Sequence, residues 1–138
     1  MSATGHCNCG KVTVEVNGGL PDAAILCHCT SCRRVSGSVY STNLVVKKSD
    51  LVIKGDEHIK EYRDTNTDSG RAILRRFCGN CGSSIAGVPE ADDSNYYLKG
   101  GLFDPHTLPA KVQAELFTRN LESWQKVHEG AHPVQGMS

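Results

Sequence analysis

Apolar and polar residues alternate along several short segments of this chain. The clearest is K-V-T-V-E-V at residues 11–16, which has valine at every second position. A period of two is typical of a half-buried β-strand, and the N-G-G sequence at residues 17–19 predicts a turn after it. Similar patterns predict strands at residues 23–26, 39–46, 51–54, 59–62, 71–77, 83–88, 96–99 and 113–117.

Helical patterns are few. Residues 31–36 predict one or two helical turns, which Gly37 would end, and residues 121–127 predict a short helix near the end of the chain. Residues 128–138 are expected to form a mobile tail. Many short strands separated by turns predict a mainly β domain of antiparallel sheets with little helix.

Length and charge narrow the class of protein. A chain of 138 residues fits one domain. Fifteen basic residues balance fifteen acidic ones, so the chain lacks the positive charge by which proteins bind nucleic acid. The N-terminal residues contain no apolar segment typical of a secretory signal, and no apolar stretch is long enough for a membrane span. We therefore expect a cytoplasmic protein that binds neither membranes nor nucleic acids; its oligomeric state is not indicated.

The candidate chemistry comes from the cysteines. There are seven, an odd number that disulfides cannot consume, and they form three clusters: Cys7 with Cys9, then Cys27, Cys29 and Cys32, then Cys78 with Cys81. Thiolates at such spacings are typical zinc ligands, and a reducing compartment keeps them free for metal. Four sulfurs make a closed structural site, whereas three leave a position for water or substrate.

Spacing favours one grouping of these sulfurs. Residues two apart in a strand point the same way, so Cys7 and Cys9 can bind one ion. The C-x-x-C sequence of Cys78 and Cys81 precedes Gly82, which permits the backbone angles of a zinc knuckle. We predict that these four cysteines form a structural zinc site and that Cys27, Cys29 and Cys32 form an open one, which gives two Zn²⁺ per chain.

Two alternatives stay open at this point. Cys29 and Cys32 could instead join Cys78 and Cys81, but the 45 residues between these pairs exceed the roughly 15–20 of a zinc ribbon. Both sites could also be purely structural, since most all-cysteine zinc sites are.

Other residues near the clusters have two interpretations. His28 lies between two cysteines, but strand alternation turns its side chain away from the metal. The Arg33-Arg34 pair either binds substrate carboxylates or is an exposed basic pair. Tyr40 either lines a pocket or packs in the core, and Trp124 is expected to be a packing anchor.

The motifs together resemble those of the glutathione-dependent formaldehyde-activating family. The resemblance covers about residues 5–127 and rests on motifs in the same order: G-H-C-N-C-G at residues 5–10, C-H-C-T-S-C-R-R-V-S-G at 27–37, F-C-G-N-C-G at 77–82, G-G-L-F-D at 100–104 and the tryptophan at 124. It implies one zinc-binding domain over residues 5–127 with an Mss4-like fold, in which antiparallel β-sheets are held together by zinc.

The resemblance also implies an activity. In this family the first and third cysteine motifs bind a structural zinc and the central three cysteines bind a catalytic zinc, so Cys27, Cys29 and Cys32 become the expected catalytic residues. The expected function is that of a zinc-dependent carbon–sulfur lyase or synthase that condenses a thiol such as glutathione with a carbonyl compound such as formaldehyde. The alternatives are a related lyase for another small molecule and a zinc-stabilised binding module without catalysis.

Overall fold

The computed structural model describes residues 1–136. Eleven strands and one short α-helix account for about half of the residues in this part of the chain. The strands are β1 Ser2–His6, β2 Thr13–Asn17, β3 Ala23–Cys27, β4 Ser41–Lys47, β5 Leu51–Lys54, β6 Ile59–Asp64, β7 Ile73–Cys78, β8 Ser84–Pro89, β9 Asn95–Lys99, β10 Lys111–Leu116 and β11 His132–Val134. Helix α1 spans Thr30–Ser36, and single 3₁₀ turns occur at Lys48–Asp50, Asp56–His58, Gly100–Leu102 and Thr118–Asn120.

The strands form two sheets. The small sheet has the order β1-β2-β5, and the large sheet has the order β11-β10-β3-β4-β9-β8-β7-β6. The predicted mainly β class with little helix is therefore confirmed. None of the described helices is long and apolar enough to cross a membrane.

The large sheet is mixed rather than purely antiparallel. Strand β10 lies between β3 and β11 and runs parallel to both, whereas the other neighbours are antiparallel. Parallel neighbours need a long crossover instead of a hairpin; residues 117–131 make the one between β10 and β11. Alternation within a strand carries no information about such a crossover, so the expectation of antiparallel sheets was wrong at this edge.

The hydrophobic core lies between the two sheets. Strand β2 contributes Val14 and Val16 from the small sheet, and Leu44, Ile85 and Leu98 come from the large one. All five are at most 2% exposed. Because successive side chains in a strand point to opposite faces, the other face of the large sheet is free to carry a separate structure, which is the cleft described below.

Both ends of the chain hold strands that alternation did not predict. Strand β1 has no alternating apolar pattern, and it is held by pairing with β2. Strand β11 lies within the segment expected to be a mobile tail and pairs with β10. Regular structure thus lies on both sides of the expected domain limits at 5 and 127; of that tail, Met137 and Ser138 lie outside the described residues.

The predicted helix at residues 121–127 is wrong. The chain forms the 3₁₀ turn Thr118–Asn120 and then continues without a helix. A segment this short cannot hold a helix without an apolar face to bury, and Trp124 is 71% exposed. Trp124 is therefore not the packing anchor that was expected.

Gly55 offers a test of how tightly the small sheet packs against the loop that carries the first cysteine pair. Its φ is +88°, and a Cβ built on it would lie 2.0 Å from the backbone oxygen of Lys11. Gly55→Ala should therefore destabilise the protein by about 3 kcal/mol or more, measured as a shift in the denaturant midpoint.

The matched control is Gly18→Ala. Gly18 has a similar φ of +84° but nothing within 4 Å of a built Cβ, so only the backbone cost of about 1–2 kcal/mol applies. Equal losses in the two variants would contradict the packing described here.

Candidate metal centres and the cleft beside them

The first and third cysteine clusters meet at one end of the hydrophobic core. The Sγ atoms of Cys7, Cys9, Cys78 and Cys81 all lie within 4.8 Å of one another. The Cys7–Cys9 separation is 3.6 Å and the Cys9–Cys78 separation is 3.8 Å. A tetrahedral ion with bonds of about 2.3 Å to sulfur requires sulfurs about 3.8 Å apart, so this group fits zinc.

Two similar turns hold these four sulfurs. In the first, the Cys7 N–H donates to the Val12 oxygen at 3.0 Å, and the Val12 N–H donates to the Cys7 sulfur at 3.3 Å. In the second, the Gly82 N–H donates to the Cys78 oxygen at 2.8 Å, and the Asn80 N–H donates to the Cys78 sulfur at 3.4 Å. Gly82 has the positive φ, +82°, that its place after the C-x-x-C sequence predicted.

The second turn favours an ionised sulfur at Cys81. Hydrogen bonds from the Ser83 side chain and backbone lower the pKa of Cys81 to about 5. Cys7 and Cys78 are fully buried, and their turns join β1 to β2 and β7 to β8. One ion here would therefore tie the small sheet to the large one.

The central cluster forms on the opposite face of the large sheet. Cys27 ends β3, Cys29 is the N-cap of α1, and Cys32 lies in the first turn of that helix. Their three sulfurs lie within 4.8 Å of one another and all three residues are buried. The Cys32 N–H donates to the Cys29 sulfur at 3.2 Å. The first turn of the helix, which positions Cys32, therefore also fixes the position of the Cys29 sulfur.

The three buried sulfurs cannot all ionise independently. Hydrogen bonds with Cys27 and Cys29 lower the pKa of Cys32, whereas hydrogen bonds with Cys29 and Cys32, together with burial, raise the pKa of Cys27. One sulfur gives up its proton readily and its neighbours keep theirs. A divalent cation relieves this conflict because it replaces the shared protons. The donor set therefore fits zinc with one coordination position open, since no fourth His, Cys, Asp or Glu atom joins the group in residues 1–136.

A cavity of about 460 Å³ opens beside the central cluster. Its floor is one face of the large sheet, on which paired residues form rows across neighbouring strands. One row contains Val134, Leu116, Cys27 and Ser41; the next contains His132, Ala114, Ile25, Asn43 and Lys99; the third contains Val45, Tyr97, Gly87 and Arg75.

Two buried cations lie in this floor. Arg75 donates from Nε to Asp64 at 3.1 Å and from Nη2 to the Ser31 hydroxyl at 2.7 Å, and its Nη1 lies 4.0 Å from the Cys32 sulfur. Burial lowers the pKa of Lys99, and the negative charge of Cys32 opposes that effect. The two cations offset the negative charge that three thiolates bring to this face.

A second polar cluster holds the peptide between two of the ligands. His28 is 1% exposed, points away from the sulfurs as alternation predicted, and contacts the Glu115 carboxylate through Nε2 at 2.7 Å. Glu115 also accepts from the backbone N–H of His128 at 2.6 Å. The His28 backbone donates to the Leu116 oxygen at 2.9 Å and accepts from Asn120 at 3.0 Å. His28 thus positions Cys27 and Cys29 without facing the cleft.

The loop between β6 and β7 closes one side of the cavity. Asp68 accepts hydrogen bonds from the Thr30 N–H at 3.1 Å, from the Thr30 hydroxyl at 2.8 Å and from Asn120 at 3.1 Å. Burial opposes ionisation of Asp68, but these hydrogen bonds lower its pKa. These hydrogen bonds to Asp68 hold the loop in place, with Thr67, Ser69 and Arg71 at the rim of the cavity.

The remaining candidates lie elsewhere. Arg33 forms an ion pair with Glu122 at 2.9 Å and Arg34 is exposed, and neither lines the cavity. Tyr40 packs edge-on against the His28 ring, at 5.5 Å between centroids. Lys99 and Asn43 were not singled out from the sequence, although the position of Lys99 two residues after Tyr97 in a predicted strand was a usable signal.

Comparisons with known proteins bear on the family and the fold. A family model described as glutathione-dependent formaldehyde-activating enzyme matches residues 2–120. No curated protein matches the chain. A crystal structure of a Rhodobacter sphaeroides protein has the same fold, with 21% sequence identity, a TM-score of 0.57, and coverage of 95% of this chain and 98% of that chain.

The two cysteine groups should respond differently to substitution. Cys78→Ser should abolish folding, because a structural zinc contributes about 10–16 kcal/mol to folding in small zinc domains. Cys32→Ser should remove one metal equivalent and leave the thermal transition in place. Metal analysis and circular dichroism of both variants check this, and a folded Cys78→Ser protein that holds two zinc ions would contradict it.

Replacement of Glu115 should lower the free energy of unfolding, although this residue is not one of the cysteine ligands. Glu115→Ala leaves the buried His28 ring and the His128 N–H without their acceptor, which costs about 1–3 kcal/mol for each group. The control is His128→Ala, which removes a half-exposed ring and keeps the backbone donor. Denaturant unfolding that gives equal losses for the two variants would show that Glu115 does not hold this peptide.

Proposed function

The chain belongs to the glutathione-dependent formaldehyde-activating enzyme family, and from this premise we propose that it is a zinc-dependent carbon–sulfur lyase or synthase. The proposed reaction is reversible addition of a small thiol to a carbonyl compound in the cleft beside Cys27, Cys29 and Cys32. The observation that carries this proposal is a buried group of three sulfurs that borders a cavity of about 460 Å³. Had the group been closed by a fourth ligand, only a structural role would follow.

Zinc bound by these three sulfurs would supply a Lewis acid with an open coordination position. The chain's own residues prepare the site for it. Arg75 and Lys99 offset the negative charge of the thiolates, and the helix start at Cys29 and the Glu115–His28 contact fix the directions of the ligands.

The walls of the cavity suit an addition reaction. Ile25, Val45, Ile73, Leu116 and Phe117 line it, and these side chains give the thiol and the carbonyl compound apolar walls to pack against. In the forward direction the thiol sulfur forms a bond to the carbonyl carbon, and the electron pair of the C=O bond moves to the oxygen. That oxygen takes up a proton equivalent to the one that the thiol releases.

Glutathione and formaldehyde are the first candidates for thiol and carbonyl, because the matching family model carries these names. The cavity volume lies within the range of about 300–1,000 Å³ typical of small-molecule sites. Arg71 and His132 at its rim offer cationic or polar contacts to carboxylates such as those of glutathione. A different small thiol or carbonyl would use the same cleft. The free thiols suit a reducing compartment, and we propose a cytoplasmic location on that ground.

The test is an assay of the zinc-loaded protein with glutathione and ¹³C-formaldehyde, followed by NMR of the hydroxymethyl thioether. The same assay covers a panel of small thiols and aldehydes. We expect a rate above the uncatalysed addition for at least one pair, and loss of that rate in Cys32→Ser. A fully metal-loaded protein that accelerates none of these reactions would favour a zinc-stabilised binding module.

A further inference from the structure

Lys99 has hydrogen-bond donors that the protein leaves unused. The residue is 8% exposed and lies on β9, in a central part of the large sheet. Its Nζ donates to the Asn43 side-chain oxygen at 2.6 Å, and it forms no ion pair with a carboxylate of residues 1–136. A lysine ammonium carries three N–H donors. In the part of the chain that the structure describes, the other two have no hydrogen-bond acceptor, although buried donors are nearly always paired.

These donors lie beside the central sulfurs. Lys99 lines the same cavity as Cys27, Cys29 and Cys32. A Cβ built on Gly87 would lie 3.8 Å from the Lys99 Nζ and 3.6 Å from the Arg75 Nη1. Because Arg75 Nη1 is itself 4.0 Å from the Cys32 sulfur, the ammonium belongs to the part of the cavity next to the sulfurs.

Arg75 and Lys99 differ in how much of their charge is already used. Arg75 pairs with Asp64 and Ser31 and contacts Cys32, so it is a fixed part of the scaffold. Lys99 has only the neutral Asn43. A buried ammonium without a carboxylate partner is costly, and an anionic oxygen of a bound molecule would repay that cost.

On the basis of the proposed function, we propose that Lys99 is a catalytic residue that binds the carbonyl oxygen of the substrate. As the carbon–sulfur bond forms, the C=O electron pair moves onto this oxygen, and the Lys99 N–H groups stabilise the negative charge by hydrogen bonding. The oxygen is then protonated by solvent, which balances the proton released by the thiol. Asn43 is the positioning residue, since it holds Nζ at 2.6 Å.

An equilibrium experiment tests this assignment without turnover. Mercaptoacetate carries an anionic oxygen close to its sulfur, and ethanethiol carries none. We expect the zinc-loaded wild-type protein to bind mercaptoacetate about 10- to 100-fold more tightly than ethanethiol, because a hydrogen bond to a charged group has about this effect on affinity. Lys99→Met, compared with the wild-type protein at equal zinc content, should lose at least about tenfold of that preference.

Two further variants keep the result interpretable. Gly87→Ala adds a methyl group with only ordinary contacts of 3.4–3.8 Å, so it should fold and should weaken mercaptoacetate binding by occupying the space between the two cations. Lys54→Met removes an exposed lysine of β5 on the small sheet and should leave the preference unchanged. If Lys99→Met fails to fold, Gly87→Ala carries the test.

The outcomes separate the two proposals. If the wild-type protein binds neither thiol, the proposed function fails. If it binds both, and Lys99→Met and Gly87→Ala keep the wild-type preference for mercaptoacetate, only the role of Lys99 fails. With an active substrate pair, Lys99→Met should lower kcat by about 10²- to 10³-fold with little change in the KM for the thiol, and an unchanged kcat would overturn the assignment.

Discussion

Three thiols that converge in a buried place set the main constraint on this structure. Full ionisation would place three negative charges within 4.8 Å of one another, and their mutual hydrogen bonds hold protons back on part of the trio. The fold places positively charged side chains beside the three sulfurs. Arg75 lies against Cys32, and Lys99 lines the same cavity beside Arg75. The remaining demand is for a cation at the sulfurs themselves, which is why the proposed chemistry is that of a metal.

The two faces of the large sheet divide the work of the protein. On one face, Leu44, Ile85 and Leu98 pack against the valines of β2, and the four-cysteine group closes the end of that core. On the other face, the intervening residues of the same strands form the floor of the cleft. Because successive side chains of a strand point to opposite faces, neighbouring residues of one strand contribute in turn to the core and to the cleft. Tyr96 and Leu98 belong to the core, whereas Tyr97 and Lys99 belong to the cleft.

Local pattern predicted the features that depend on neighbouring residues. The valines of β2 and the start of α1 follow from spacing alone, and so does the positive φ of Gly82. What it missed depends on partners that are distant in the chain. Strand β1 forms because it pairs with β2. Strand β10 is parallel to its neighbours because long crossovers connect them. Glu115 is buried because its carboxylate contacts the buried His28 ring, 87 residues away in the chain. The local pattern makes Lys99 only the polar end of a strand, and the pairing of β9 with β4 at Asn43 is what places it in the cleft.

The central claim is that the sulfurs of Cys27, Cys29 and Cys32 hold one zinc ion whose fourth position is open to an incoming thiol. Zinc X-ray absorption of the purified protein, before and after addition of a thiol, tests it directly. We predict two zinc ions per chain, bound in total by seven sulfur ligands and one lighter donor atom. Addition of the thiol should raise the number of sulfur ligands by one per chain. A single zinc per chain, or a sulfur count that does not change with thiol, would contradict the account.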